Sequence, residues 1–305
     1  MEASAATPQP PAGSERSDRG AGGPSFAVAF GGGGARGLAH IHVIEALDEL
    51  GIRPVAIAGS SIGAIMGAGM AAGMRGRDIH DYARAILGKR SEVAARMWRA
   101  RPGTFSEVIA GGVRFTQFNV ERILQAFLPD AIPARFEQLR IPLQITATDY
   151  YAHREIVFDS GNLTFAMAAS AAVPAVFSPV RHGGRILVDG GITNPVPFDL
   201  LQGLADIVIA IDVVGSPGDG GKSRPNSLDL VFGSSQIMMQ SIVALKLQNA
   251  RPQVLLRPPV SHFRMLDFLK IDRLMAETAT VKDELKAAIE AAVERHEDAR
   301  LAREP

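Results

Sequence analysis

Val55-Ala56-Ile57-Ala58 is a short apolar run that ends at Gly59-Ser60-Ser61-Ile62-Gly63, and beyond it small residues recur at Gly63, Gly67 and Ala71. An apolar run closed by glycine reads as a buried strand, and four-residue spacing stacks the small positions on one side of a helix. The stretch therefore commits the chain to a strand, a sharp turn and a helix. Glycine costs a helix about 1 kcal/mol relative to alanine, so a row of them predicts a helix backbone pressed against a neighbour, here the sheet. Pro54 to Met74 is also the longest uncharged run and is long enough to span a bilayer. Its five glycines, two serines and internal turn favour the strand-turn-helix reading.

The same rhythm recurs along the chain. Phe26-Ala27-Val28-Ala29-Phe30 runs into four glycines, and from Arg36 to Leu50 a helical pattern repeats Leu38, Ile41, Ile44, Leu47 and Leu50 before Gly51 stops it. Further strands are expected at Pro142 to Thr148, Glu155 to Phe158, Arg185 to Val188, Ile207 to Val213 and Gln253 to Leu256, with helical patterns between most of them. This alternation predicts an α/β fold with a mainly parallel central sheet and helices on both faces. Residues 1–24, rich in Ala, Pro, Gly and Ser, read as a disordered tail without the apolar stretch of a secretory signal, and residues 25–305 as one domain. Within it, residues 90–135 read as a helical insertion holding Trp98, Phe105, Phe115, Phe118 and Phe127, and 214–226 as a mobile loop.

Composition excludes several classes of function. The 32 basic and 32 acidic residues cancel, so no global field recruits nucleic acid. The absence of cysteine removes disulfides, thiolate metal sites and a cysteine nucleophile. A cytoplasmic location is the default expectation.

The chemistry concentrates at strand ends. Gly59-Ser60-Ser61-Ile62-Gly63 has the G-x-S-x-G pattern, in which a serine on a strand-to-helix turn lifts its hydroxyl above the sheet and flanking glycines relieve crowding. Ser61 is the expected nucleophile and Ser60 the variable position. Gly32-Gly33-Gly34-Ala35-Arg36-Gly37 follows the first strand, so its backbone N–H groups can converge on a developing oxyanion. The same letters fit a dinucleotide fingerprint, but the second strand ends Ala56-Ile57-Ala58-Gly59, without the acidic residue that would hold a ribose. Gly221-Lys222-Ser223 fails as a phosphate loop because Ser216 stands where glycine is needed and Pro225 disfavours the following helix. Asp189-Gly190-Gly191 closes another expected strand, either as a tight turn or as the carboxylate that serves Ser61.

The glycine loop, the G-x-S-x-G and Asp189-Gly190-Gly191 together closely resemble the patatin-like phospholipase family, and the similarity extends over most of residues 26 to 213. It includes Ala169-Ser170-Ala171-Ala172-Val173-Pro174, which resembles the family's A-S-x-x-x-P segment, and Ile192-Thr193-Asn194-Pro195-Val196-Pro197. The short length and Gly-Ser-Ser-Ile-Gly are more similar to bacterial members than to plant storage enzymes. The resemblance implies a patatin-like three-layer fold, a dyad of Ser61 and Asp189, and an oxyanion hole at Gly32, Gly33 and Gly34. Arg36, Gly37, Gly59, Gly63, Gly190 and Gly191 are the supporting motif positions, and no metal or cofactor is implied. The implied substrate is a lipid or another acyl ester, met in transient contact with a membrane surface; the alternative is a family member that acts as a regulatory binding partner with weak or no catalysis.

A serine, acid, histidine order would leave His262 and His296 as candidates after Asp189, the first in a loop and the second in a charged helix. His40 and His42 are two residues apart on a helix and point to different faces, which disfavours shared metal binding. Arg36 either orients the glycine loop, binds a phosphate or is an exposed arginine. Asp149 and Asp159 read as strand-end turn residues. The aromatics near Trp98 and Phe118 read as packed among themselves or as an acyl pocket. The stripe Val281, Leu285, Ala288, Ile289, Ala292 and Val293 reads as a terminal helix packed on the body, and Phe263 to Met275 as core packing or an interfacial lid element.

Overall fold

The computed structural model describes residues 23–99, 118–217 and 227–303. The expected tail up to residue 22, Phe105, Phe115 and most of the 214–226 loop lie outside them. The strands are β1 (Phe26–Phe30), β2 (Ala56–Ser60), β3 (Leu143–Asp149), β4 (Arg154–Phe158), β5 (Val180–His182), β6 (Arg185–Asp189), β7 (Ile207–Ile211) and β8 (Val254–Leu256). The helices are α1 (His40–Glu49), α2 (Ile62–Ala71), α3 (Gly76–Leu87), α4 (Arg90–Arg99), α5 (Val120–Phe127), α6 (Leu163–Ser170), α7 (Ser227–Asn249), α8 (Ile271–Glu277) and α9 (Val281–Leu301).

Five strands form the parallel part of the sheet in the order β3-β2-β1-β7-β8. The other three are antiparallel: β4 and β6 both pair with β3, and β5 pairs with β6. The expected mainly parallel sheet is thus correct for its centre, while β5 carries one apolar residue in three and gives no sequence signal. One register decides where the chemistry can sit. β4 takes one edge of β3 along Ile145 to Asp149, so β2 and β6 share the other. β2 ends with Ser60 opposite Thr146, and β6 ends with Asp189 opposite Ala147. The two strands therefore meet end to end with their carboxyl ends facing.

Strand residues alternate between two unequal faces. Val28, Phe30, Ile57, Ile207, Ile209 and Ile211 pack into a large core with α1, α2, α5, α6, α8 and α9. Ala27, Ala29, Ala56, Ala58 and Ala210 face the other way, where small side chains let the 3-10 turn Phe198–Leu201 lie close and Val243 of α7 pack beside it. Helices thus cover both faces, the second one thinly. Val281, Leu285, Ile289 and Ala292 of α9 are buried as the stripe anticipated. Phe263, Ile271, Leu274 and Met275 join the core, whereas Leu266 and Leu269 are exposed.

The helix expected from Arg36 is corrected at its start. Residues Gly34–Ala39 form a 3-10 helix and the α-helix begins at His40, because Ala35 N–H is tied to Met265 O at 2.7 Å and Arg36 turns back to Gly33 O. Leu50, the last residue of the stripe, falls beyond α1 and is exposed.

The row of small residues on α2 does bring its backbone against the sheet. A side-chain carbon on Gly63 would lie 2.1 Å from Phe30 O, whereas on Gly67 its nearest neighbour is Ile57 Cγ2 at 3.1 Å. Overpacking costs about 1–3 kcal/mol or more where backbone must move, and alanine returns about 1 kcal/mol of helix propensity. Gly63→Ala should accordingly lose at least about 2 kcal/mol in urea denaturation, while Gly67→Ala stays within about 1 kcal/mol of the parent. Equal effects at the two positions would contradict this packing.

Candidate active site

Ser61 occupies the single residue between β2 and α2, with φ 54° and ψ −123°. Positive φ in a residue with a side chain costs on the order of 1–3 kcal/mol and persists only where the surroundings enforce it. Here the turn is held from three sides. Ala64 N–H donates to Ser61 O at 3.0 Å, Ser61 N–H donates to the Ser170 hydroxyl oxygen at 2.7 Å, and Gly63 sits under Phe30 O. Gly59 is needed for the same reason, since a side-chain carbon there would lie 2.6 Å from Ala64 Cα.

Ser61 Oγ donates to Asp189 Oδ2 at 2.5 Å, and Asp189 Oδ1 accepts from Gly191 N–H at 2.7 Å. Both residues are buried, at 5% and 7% exposure. Burial pushes the Asp189 carboxyl up from 3.8 to about 6, against the two hydrogen bonds, which pull it down. The backbone of Asp189 is fixed as well: its N–H donates to Ala172 O at 3.1 Å and its carbonyl accepts from Thr148 Oγ1 at 2.9 Å. Gly190 lies so close to Thr146 that a side-chain carbon would stand 2.3 Å from its carbonyl oxygen, and one on Gly191 would meet Met239 of α7 at 2.8 Å. Asp189-Gly190-Gly191 is thus both the turn and the carboxylate partner of Ser61.

The glycine loop lies beside this pair, with Gly32 close enough that a side-chain carbon would be 3.3 Å from Ser61 Cβ. One expected donor is already used. Gly32 N–H donates to Pro195 O at 2.8 Å, so the loop's open donors are the N–H groups of Gly33 and Gly34, which have no acceptor among the described residues. Gly37 packs on Ile62, the first residue of α2, where a side chain would overlap Cγ2 at 2.3 Å. Arg36 is only 3% exposed, which corrects the surface reading. Its Nε donates to Gly33 O at 3.0 Å, and burial lowers its pKa to about 10 while nearby Asp212 pulls it back up. Asp212 in turn accepts from Arg257 Nε at 3.0 Å. His40 Nε2 donates to Gly31 O at 2.8 Å, and full burial depresses its pKa to about 4, so this ring is a neutral prop for the loop.

None of the seven histidines shares a hydrogen bond with Ser61 or Asp189. His262 pairs with Glu277, His42 bonds Met275 O and Glu45, and His296 lies on α9. Asp149 caps its own turn by accepting from Ala152 N–H at 3.1 Å, and Asp159 follows β4 as expected. Trp98 and Phe118 are exposed, at 69% and 42%, and Phe105 and Phe115, their expected partners in packing or in lining an acyl pocket, lie outside the described residues. Among the described residues no group of three His, Asp or Glu side chains is placed to hold a metal ion.

Sequence reasoning missed Ser170 and Pro195 as members of the site. Both lie in the segments that carry the family resemblance, yet their contacts span 109 and more than 160 residues and leave no local pattern.

Residues 28–201, more than half of the chain, match the family described as Patatin-like phospholipase. The chain belongs to that family. An uncharacterized NTE family protein of Mycobacterium tuberculosis is 39% identical over 210 residues, covering 68% of this chain and 54% of the relative. Lysophospholipase NTE1 of Coccidioides immitis is 32% identical over 279 residues, covering 83% of this chain and 17% of the relative. Human patatin-like phospholipase domain-containing protein 6 is 27% identical over 282 residues, with 83% and 19% covered. The chain thus spans about half the length of the mycobacterial relative and under a fifth of the other two. Among solved structures, VipD from Legionella pneumophila aligns with a TM-score of 0.41 at 14% identity, over 85% of this chain and 67% of that one.

For this member of the patatin-like phospholipase family, the raised carboxyl has a consequence for stability. The unfolded chain releases the Asp189 proton near 3.8 and the folded protein near 6, so the folded state loses stability as pH rises through that window. Above it the loss is about 3 kcal/mol. Asp189→Asn keeps the shape without the charge, and is expected to be more stable than the parent in urea denaturation at pH 8, with the difference vanishing near pH 4. A variant equally destabilised at both values would contradict the buried carboxylate.

Proposed function

We propose that this chain is a serine acyl-ester hydrolase of the phospholipase or lysophospholipase kind, with Ser61 as nucleophile and Asp189 as its general base. The carrying observation is the 2.5 Å hydrogen bond between a hydroxyl on a strained elbow and a buried carboxylate whose pKa is raised to about 6. At neutral pH such a carboxylate is mostly ionised and more basic than a free one, the condition for accepting a hydroxyl proton.

In this reading Ser61 Oγ attacks the ester carbonyl while its proton passes to Asp189 Oδ2. The carbonyl electrons collect on an oxyanion beside the Gly33 and Gly34 N–H groups, held in place by Arg36 and His40. Collapse breaks the bond to the alcohol, which takes the proton from Asp189 and leaves an acyl-Ser61. Water then repeats the sequence, giving its proton to Asp189, and the free acid departs as Ser61 Oγ recovers it. No cofactor enters these steps.

The lipid character of the substrate is supported by family membership and by the surface beside the site. α7 contacts the Gly191 turn through Met239, and its outward residues Leu230, Val231, Ile237, Met238 and Leu245 are each more than half exposed, with no charge between Leu230 and Leu245. Among the described residues α7 is also the one helix long and apolar enough to cross a membrane. We assign it to contact with a lipid surface by a protein otherwise on the cytoplasmic side, since a side chain such as Leu or Ile gains about 1.5–3 kcal/mol on leaving water.

Two experiments test these assignments. A fluorophosphonate probe should modify Ser61, and Asp189→Asn should lower kcat/KM on a short-chain aryl ester by two or more orders of magnitude, while His262→Ala and His296→Ala keep most of it. Labelling of another serine, or collapse in a folded histidine variant, would overturn the dyad. Replacing Ile237 and Met238 together by aspartate should reduce hydrolysis of an ester presented in phosphatidylcholine vesicles at least fivefold and leave the soluble ester unaffected. Equal effects on both substrates would remove α7 from lipid contact.

A further inference from the structure

Ser61 directly follows β2 and Asp189 ends β6, two strands that each pair with β3, so their separation depends on whatever else fixes the two carboxyl ends. One buried segment touches both. Ser170, the last residue of α6, accepts a hydrogen bond from Ser61 N–H through its hydroxyl at 2.7 Å. Two residues on, Ala172 O accepts from Asp189 N–H at 3.1 Å. Ser170 and Ala172 are both fully buried.

The segment is itself rigidly held. Asn162 caps the start of α6 by accepting from Phe165 N–H at 2.8 Å, and Leu163, Ala166, Met167 and Ala169 are fully buried in the core. After Ser170 the helix stops, and Pro174 cannot continue it. The Ser170 hydroxyl thus arrives on a fixed backbone, as a carbonyl of a neighbouring strand would.

The bond matters because of where Ser61 stands. Its N–H lies past the last ladder position of β2 and in the unsatisfied first turn of α2, so it needs an acceptor from outside both elements. Ser170 Oγ supplies it. The direction of that N–H fixes the plane of the peptide that sets φ at Ser61, and φ aims Oγ at Asp189.

We propose that Ser170 is a positioning residue for acylation, acting through the Ser61 amide, and that Ser170 and Ala172 together set the distance between nucleophile and base. The inference rests on the dyad reading above. It also gives a physical role to the serine of the A-S-x-x-x-P segment, whose hydroxyl oxygen accepts from the Ser61 amide.

Ser170→Ala removes one oxygen and leaves the Ser61 N–H buried without a partner. On a soluble short-chain ester it should lower kcat by tenfold to a hundredfold with KM within about twofold, because ground-state binding does not involve the bond. Ser170→Cys restores a weaker acceptor of similar shape and should recover part of the loss, and it replaces the alanine variant as the test, with an expected loss of at least threefold, should alanine prevent folding. Far-ultraviolet circular dichroism and thermal melting establish that each variant is folded. A folded Ser170→Ala with kcat within threefold of the parent, or one whose KM rises in step with its loss of kcat, overturns the proposal. Ser61→Ala is measured alongside: inactive Ser61→Ala beside a fully active Ser170→Ala defeats only this inference, whereas an active Ser61→Ala defeats the dyad itself.

Discussion

Along one edge of β3, Thr146 pairs with the last residue of β2 and Ala147 with the last residue of β6, so two strands running in opposite directions bring Ser61 and Asp189 together. Successive residues on a strand are about 3.3 Å apart, which matches the reach of a hydrogen bond between the side chains that follow. The rest of the site exists to keep this junction dry and in register. A strand end normally offers its backbone to solvent, whereas here both ends are covered by α6, the glycine loop and the Gly190-Gly191 turn.

That covering sets conflicting demands. A dry site raises the pKa of Asp189 and makes it a stronger base, but it leaves a carboxylate and several backbone groups in need of partners. The partners come from distant parts of the chain: Gly191 N–H and Ser61 Oγ for the carboxylate, Ser170 for the Ser61 amide, Pro195 for Gly32, Arg36 and His40 for the carbonyls of Gly33 and Gly31. Close approach then requires glycine at Gly59, Gly63 and Gly190, where a side-chain carbon would fall within 2.1–2.6 Å of backbone. Among the residues that meet at this junction Ser61 alone combines a side chain with positive φ, while His153 and Ala175 adopt it elsewhere among the described residues.

Much of this was legible in the sequence because it was local. The G-x-S-x-G between an apolar run and a row of small residues located the elbow, and Asp-Gly-Gly at a strand end located the carboxylate. What escaped was long-range. Nothing in Arg185 to Asp189 says that β6 runs antiparallel to β3, since strand direction depends on the connection through β5 and on pairing with residues forty positions away. Gly32 reads as an oxyanion donor in the sequence, but Pro195 O occupies its N–H, and Arg36, which reads equally as a loop-orienting or an exposed arginine, is held inside between Gly33 and Asp212. Charged residues are read as surface by default, and only the fold reveals a buried acid near enough to hold one inside.

The central claim is that a buried, serine-bonded Asp189 is the proton acceptor, and its titration is the most direct test. With carboxyl carbons of aspartate labelled with carbon-13 and the Asp189 resonance assigned by its loss in Asp189→Asn, the chemical shift can be followed across pH. The account predicts a midpoint near 6 that moves higher in Ser61→Ala, because the Ser61 hydrogen bond holds the carboxyl down against the effect of burial. A midpoint near 4, or one indifferent to the loss of the Ser61 hydroxyl, would contradict it.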